Sequence, residues 1–258
     1  MGQTGSAARS AEDGPDLLSD IVQSLWIGDR LGALQQLGVR SFLAHGHAYH
    51  LYAYDDVADV PAGTTICDAS AILAKASIFS YRRGFGQGSH SAFSNQFRYQ
   101  LLFDRGGWWV DTDVVCLRPF DFVDDVVFAQ ERWEDGKINV ASCVLKSPPS
   151  AEFLRYCLDV CESKTKDHIE WGEIGPVLLD DAVRRFRLEK HLVSVEAFNP
   201  VHYFSASDLV APDFMEARIE SSFAVHLWSQ MWSALGMNSN ITPPPNSLYG
   251  ILRARYSG

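Results

Sequence analysis

The chain is 258 residues long, with 47% hydrophobic and 12% aromatic residues, enough to bury a sizeable core as one large α/β domain or two small ones. A formal net charge of -10 excludes a general nucleic-acid binder and a polybasic membrane surface. It leaves room for a phosphate-bearing ligand, provided a metal or local arginines supply positive charge.

Residues 1–18 are small, polar and charged, and read as a disordered tail ahead of one domain over 19–258. The first eighteen residues do not read as a signal peptide, and no run reads as long and apolar enough to span a bilayer. Five cysteines, at 67, 116, 143, 157 and 161, are odd in number and lack zinc-site spacing. They read as reduced thiols in a cytoplasmic protein.

Ile21 to Ile27 reads as a first strand, ended by Gly28. Leu31 to Leu37 predicts a short helix stopped by Gly38, and Val39–Ala44 and Tyr49–Tyr54 predict two strands. Strand, helix and strand at this spacing suggest a βαβ unit in a parallel sheet. Ala71–Ser80 suggests a further helix. The segment from Arg82 to Ser89 is glycine-rich and basic: a plain surface loop, or a flap over an anionic ligand.

The clearest helix runs from Ala92 to Asp104, where Phe93, Phe97 and Leu101 recur every four residues. Gly106 suits its end, and Ser89 or Ser91 its start. The strand Trp108-Trp109-Val110 follows and leads into Asp111 and Asp113. Residues two apart on an extended backbone point the same way, so the two carboxylates can converge on one cation. Apolar residues on both sides, Val114 to Leu117 among them, favour this over a solvated turn. Repulsion between the carboxylates predicts that Asp→Asn at either position leaves the metal-free fold intact. Val126–Ala129 and Ile138–Leu145 read as strands, Ser150–Glu162 and Pro176–Arg187 as helices, and Val193–Val195 and Ala224–Trp228 as the last strands. Pro243-Pro244-Pro245 reads as a stiff break before a short tail.

The run from Ser94 to Asp113 resembles the signature of the DXD-motif sugar transferases, the family-32-like group that includes fungal mannosyltransferases, globotriaosylceramide synthase and the large glucosylating toxins. That signature is roughly S-D-x-x-R-Y-x-x-L-x-x-x-G-G-x-Y-x-D-x-D, about twenty positions of fixed spacing. Trp26-Ile27-Gly28 is similar to the family's W-I-G opening, Asn139 to an asparagine one strand past the Asp pair, and Gly175-Pro176 to a G-P before a helix. Two positions depart from the pattern. Asn95 stands where the family has an acidic residue, and Trp109 where a tyrosine is usual. Both bear on the donor sugar rather than on the reaction class.

The resemblance implies a GT-A fold, a Rossmann-like, mixed and mostly parallel α/β sheet flanked by helices. It implies transfer of a hexosyl group, with retention, from a nucleotide sugar to a glycan or glycolipid, as in cell-surface polysaccharide assembly. No nucleic-acid partner and no transmembrane segment are expected; contact with a membrane would be peripheral, at its inner face. Asp111 and Asp113 would be the catalytic pair and hold Mn²⁺ or Mg²⁺, with His226 either a third ligand or a core histidine. Trp26 would stack on the base or sit in the core, and Ile27, Gly28, Asn95, Arg98 and Trp109 would complete the donor side. Arg98 would reach the donor's sugar or phosphates, or form a surface ion pair. Asn139, Glu173 and Trp228 would face the acceptor or the sugar. Asp111-Thr112-Asp113-Val114-Val115 also fits the haloacid-dehalogenase phosphatase pattern, with Asp111 as nucleophile and Asp113 as acid. A third reading is a nucleotide-sugar-binding protein without turnover.

Overall fold

The computed structural model describes residues 21–238 and 241–256, so the predicted tail at 1–18 lies outside the described residues. The chain runs β1 (Ile21–Trp26), α1 (Ala33–Ala44), β2 (Ala48–Ala53), β3 (Thr65–Asp68), α2 (Ser91–Arg105), β4 (Gly107–Val110) and β5 (Val114–Cys116). It continues through β6 (Val127–Arg132), β7 (Ile138–Ser147), α3 (Glu152–Ser163), α4 (Pro176–Arg185), α5 (Val195–Phe198), β8 (Ala224–His226), α6 (Ser229–Ala234) and α7 (Leu248–Tyr256). Six strands form one sheet in the order β3-β2-β1-β4-β7-β6, and β5 pairs with β8 in a separate two-stranded sheet. The β3-β2, β2-β1 and β1-β4 pairings are parallel. The β4-β7 and β7-β6 pairings are antiparallel. This is the expected mixed, mostly parallel α/β architecture, with helices packed against the sheet.

Alternation along β4 explains why it is apolar on both faces. Trp109 enters one core cluster, with Phe93, Phe97 and Leu101 of α2, while Trp108 and Val110 enter another, with Phe42 of α1. Helix α2 ends as expected at Gly106, whose φ of 67° is a left-handed conformation suited to glycine. The chain leaves β1 toward β2 on one side and meets β4 on the other. The carboxyl ends of β1 and β4 therefore border the crevice where α/β sheets bind ligands. Trp26 stands at one end and Asp111 just past the other.

Four local expectations are corrected. Val39–Ala44 is the second half of α1, not a strand, because Gly38 is no stop. A Cβ at Gly38 would sit 2.4 Å from the Thr112 carbonyl oxygen and 2.8 Å from that of Val114. Only glycine lets α1 lie against the turn that carries the Asp pair. Gly38→Ala is accordingly expected to destabilise the protein by about 1–3 kcal/mol in urea denaturation, with lower metal affinity because the turn is displaced. Ala71–Ser80 forms only short 3₁₀ turns, at Ala69–Ala71 and Lys75–Ser77. Its residues are half-buried or exposed and offer no continuous stripe to bury. Val193–Val195 contributes no strand: one bridge joins Leu192 to Phe128, and α5 begins at Val195. After the proline run the chain is not a tail but α7, whose Leu248, Tyr249, Leu252 and Tyr256 pack against Trp232 and Leu34.

Candidate active site

The backbone around the Asp pair is held from two sides. The Asp111 N–H donates to the Cys143 carbonyl of β7 at 2.8 Å, and the Asp113 carbonyl accepts from the Leu227 N–H, just past β8, at 2.9 Å. The Val114 N–H closes the turn onto the Asp111 carbonyl at 3.0 Å. Behind it, the Ser24 hydroxyl of β1 donates to the Val110 carbonyl at 2.6 Å and meets the Tyr49 hydroxyl of β2 at 2.7 Å. The three strands are thus pinned one residue before Asp111.

Each carboxylate has its own cation. Arg98 of α2, which is 2% exposed, donates from Nη2 to Asp111 Oδ1 at 2.6 Å and from Nη1 to Asn95 Oδ1 at 2.6 Å. Its guanidinium lies 4.8 Å over the Trp109 ring, and the Trp109 indole donates to the same Asp111 oxygen at 2.9 Å. His226 Nε2 lies 3.2 Å from Asp113 Oδ1, and the Ser229 N–H donates to Asp113 Oδ2 at 2.7 Å. Burial alone would raise the Asp113 pKa, but His226 and Ser229 hold it well below the usual carboxylate range. Burial likewise raises Asp111, and the pull of Arg98 and His226 does not fully offset it. For His226, burial opposes the charged form, and the Asp113 carboxylate outweighs it and lifts the imidazole well above its ordinary pKa.

The turn from β8 into α6 is strained at Trp228, a non-glycine residue with φ 57° and ψ 49°. Its indole N–H donates to the Val201 carbonyl at 2.8 Å, and its ring lies 3.9 Å from that of His226 at 34°. This conformation brings the Ser229 amide to Asp113 while Trp228 braces His226.

One oxygen each of Asp111 and Asp113 and one nitrogen of His226 lie within 4.8 Å of one another. Hard oxygen donors with one imidazole suit Mn²⁺ or Mg²⁺. His226 presents Nε2 to the Asp pair, 3.2 Å from Asp113 Oδ1, and would bind a cation as the neutral imidazole. The residues present therefore fit a divalent cation.

The cluster opens into a cavity of about 930 Å³ whose wall includes Trp26, Ile27, Asn95, Arg98, His226 and Trp228. Gly28 lies just beyond, exposed, and Trp109 sits behind the wall in the core. Asn139 and Glu173 do not border the cavity: Asn139 pairs with Glu131 across β6 and β7, and Glu173 binds Lys164 at 2.6 Å and the Glu170 N–H at 2.9 Å. The glycine-rich loop reaches the cavity with Phe85 and Ser89 rather than with its arginines, and Arg82 instead pairs with Asp167. A Cβ at Gly175 would lie 2.6 Å from the Asn95 amide nitrogen, so a larger residue there would push on the side chain that accepts from Arg98. Glu131, Trp133 and Ser229 also line the cavity and escape a reading of the sequence. Ser229 acts through its backbone, which no side-chain pattern reveals.

An α/β sheet with a metal-competent acidic pair at its crevice defines a class of proteins that bind ligands at the carboxyl ends of their strands. Within that class, residues 57–134 match the family model of the glycosyltransferase sugar-binding region containing DXD motif, so the chain carries such a region, with Asp111 and Asp113 as its motif. No curated protein sequence matches the chain. Among solved structures it is similar to the PaToxG glycosyltransferase, at 10% identity and a TM-score of 0.48 over 84% of this chain and 87% of that one. It is also similar to a transferase mutant in which cysteines are replaced by serine, at 11% identity and a TM-score of 0.45 over 66% of this chain and 86% of that one. A third is the apo-form glycosyltransferase GlyE of Streptococcus pneumoniae, at 12% identity and a TM-score of 0.40 over 69% of this chain and 46% of that one. Likenesses this distant bear no weight on chemistry. Among the described residues no helix is long and apolar enough to cross a membrane, and all five cysteines are free.

Proposed function

We propose that this protein is a hexosyltransferase that moves a sugar from a nucleotide-sugar donor to a glycan or glycolipid acceptor. The observation that carries the reading is the convergence of Asp111, Asp113 and His226 at the sheet crevice, within a DXD sugar-binding region. These three would hold Mn²⁺ or Mg²⁺, which supplies Lewis-acid stabilisation of the charge that builds on the leaving diphosphate. The Ser229 amide and Arg98 fix the two carboxylates in place, so little reorganisation is needed when donor arrives. Trp26 is half-buried with an indole N–H that has no partner among the described residues, and offers a platform for the base at the end of β1. Asn95 and Arg98 border the donor-sugar side. Trp228 borders the side from which an acceptor would come. Retention of configuration rests on the resemblance alone and is read by NMR of the first-formed product, where a β linkage from an α donor would contradict it. A cytoplasmic site and a role in cell-surface polysaccharide assembly, with peripheral membrane contact, complete the reading.

The test is a thermal-shift panel of UDP-, GDP- and dTDP-sugars with Mn²⁺ and with EDTA, run on the wild type and on Trp26→Ala. One donor class at a hundred times its dissociation constant should add about 2.7 kcal/mol of stability in Mn²⁺ and lose most of it in EDTA. Trp26→Ala should remain folded and bind that nucleotide about 5- to 150-fold more weakly, as loss of a base stack of ~1–3 kcal/mol requires. No shift with any donor would sink the transferase reading. A shift indifferent to EDTA would sink the metal site alone.

A further inference from the structure

Phe85 and Trp171 line the cavity, yet they are 44% and 41% exposed. Scattered exposed apolar residues need no explanation, but this pair is built. Phe85 meets Trp171 edge-on at 4.8 Å and 83°, and Tyr81 flanks the indole at 5.1 Å and 39°. The Gly86 backbone closes on the indole so tightly that a Cβ there would lie 2.3 Å from two of its ring carbons. The Tyr81 N–H donates to the Ser89 carbonyl at 3.0 Å and the Gly88 N–H to the Tyr81 carbonyl at 2.9 Å, which ties the base of the loop. Two rings are thus held in place without being buried. A continuous run of contacts joins them to the metal-competent cluster. Arg98 holds Asp111 and Asn95 at 2.6 Å each, Gly175 packs on the Asn95 amide, and the Gly175 N–H donates to the Gly172 carbonyl, next to Trp171, at 3.0 Å. Trp171 therefore lies beyond Asn95 on the wall that leads from Arg98 toward solvent.

We propose that Phe85 and Trp171 form a stacking platform for a neutral sugar ring of the acceptor, an inference that rests on the transferase reading above. The C–H face of a pyranose is apolar and packs on the negative face of an aromatic ring. Rings already fixed by their neighbours lose little rotamer freedom when the sugar arrives. Ser91 and Ser94, one turn and one residue before Asn95 on α2, line the cavity as well and offer hydroxyls to those of the sugar. Trp228 belongs to the wall of Asp113, so the acceptor lies between the two walls. The charge of the cavity sets the class of sugar. Its wall holds Asp111, Asp113, Glu131 and Glu134, and Arg98, already paired with Asp111, is the only Lys or Arg on it among the described residues. A divalent cation would be answered by the donor's diphosphate. No positive charge is then left for an anionic acceptor, which would meet like charge.

Binding is read by saturation-transfer NMR on the full chain with Mg²⁺ and UDP, GDP or dTDP in turn. The probes are methyl and octyl glycosides of glucose, galactose, mannose and N-acetylglucosamine, with methyl glucuronide and methyl galacturonide as anions. At least one neutral glycoside should bind, saturated most strongly at its ring C–H protons, and the anions should not. Trp171→Ala should weaken that glycoside about 10-fold and Phe85→Ala about 3-fold, while the thermal shift given by the nucleotide stays as in the wild type and reports an intact fold. Trp171→Phe should recover part of the binding. Methyl and octyl glycosides that bind alike indicate a glycan, and a tighter octyl glycoside of one sugar indicates a glycolipid headgroup; either supports the platform. Equal binding of the anions, binding of the octyl chain whatever its sugar, or binding indifferent to Trp171→Ala would overturn the inference. So would a wild type that shifts with a nucleotide but binds no glycoside, and the transferase reading would then stand. Glycoside binding that needs Trp171, without any nucleotide shift, would leave a sugar platform and remove the transferase reading. Neither shift nor glycoside binding would remove both.

Discussion

Asp113→Asn is expected to cut nucleoside diphosphate release by at least ~10²-fold and to weaken Mn²⁺ binding steeply. Asparagine keeps the shape but removes charge from a hard-cation ligand, and the charge it answers develops mainly in the transition state. The loss should therefore appear chiefly in kcat. The structure also changes what is expected of the metal-free fold. Viewed as two repelling carboxylates, the pair would lose nothing when one is neutralised. Yet Asp113 is buried against His226 and the Ser229 amide, and Asp111 against Arg98 and Trp109. Each carboxylate is more strongly attracted to its own partner than repelled by the other. Asp113→Asn should thus cost about 1–3 kcal/mol in urea denaturation with EDTA, kept moderate because His226 can shed its proton when its counter-ion goes. A metal-free stability equal to wild type would show that the Asp113–His226 pair contributes nothing net. Full turnover in excess EDTA would remove the metal from the mechanism.

The centre of the fold was legible because its signals are local. Trp108 and Trp109 announce a strand buried on both faces, and Phe93, Phe97 and Leu101 announce the helix that covers it. What sequence could not show depends on residues brought together from far apart. Gly38 carries the same letter whether it ends a helix or lets one approach a backbone, and only the Thr112 and Val114 carbonyls decide between them. Strand β8 falls within the expected Ala224–Trp228, but β5 is three residues long, too short for alternation to register, and only their pairing sets Val114 opposite His226. In the site, the Asp pair, Arg98 and His226 were all visible, but not that Arg98 and His226 are the counter-ions of the pair. Arg98 precedes Asp111 by 13 residues and belongs to a different element, and only the short connection through Gly106 folds α2 back so that Arg98 lies over Trp109. Helix α7 did carry a readable apolar period, in Leu248, Tyr249, Leu252 and Tyr256, but the prolines before it read as an end to structure.

Arg98→Ala is expected to be the most destabilising single change at the site. The guanidinium is almost wholly buried and serves three groups at once: the Asp111 carboxylate, the Asn95 amide oxygen and the Trp109 ring. Removing one partner of a buried ion pair costs about 3–5 kcal/mol, because the other is left uncompensated. Asp111 remains about 27% exposed and can draw on solvent, so the loss should fall near the low end, about 3 kcal/mol, in urea denaturation with EDTA. A surface helix pair would instead be worth about 0–1 kcal/mol. A loss that small would return Arg98 to the surface-pair reading. Arg98→Lys separates charge from shape. Lysine restores the positive charge but cannot hold Asp111 and Asn95 with two arms of one plane while lying flat on Trp109. It should recover only part of the stability and little of the turnover, since Asp111 is then neutralised without being oriented. If lysine restored turnover fully, Arg98 would matter only as a point charge, and the fork it forms between Asn95 and Asp111 would play no part in preparing the metal ligand.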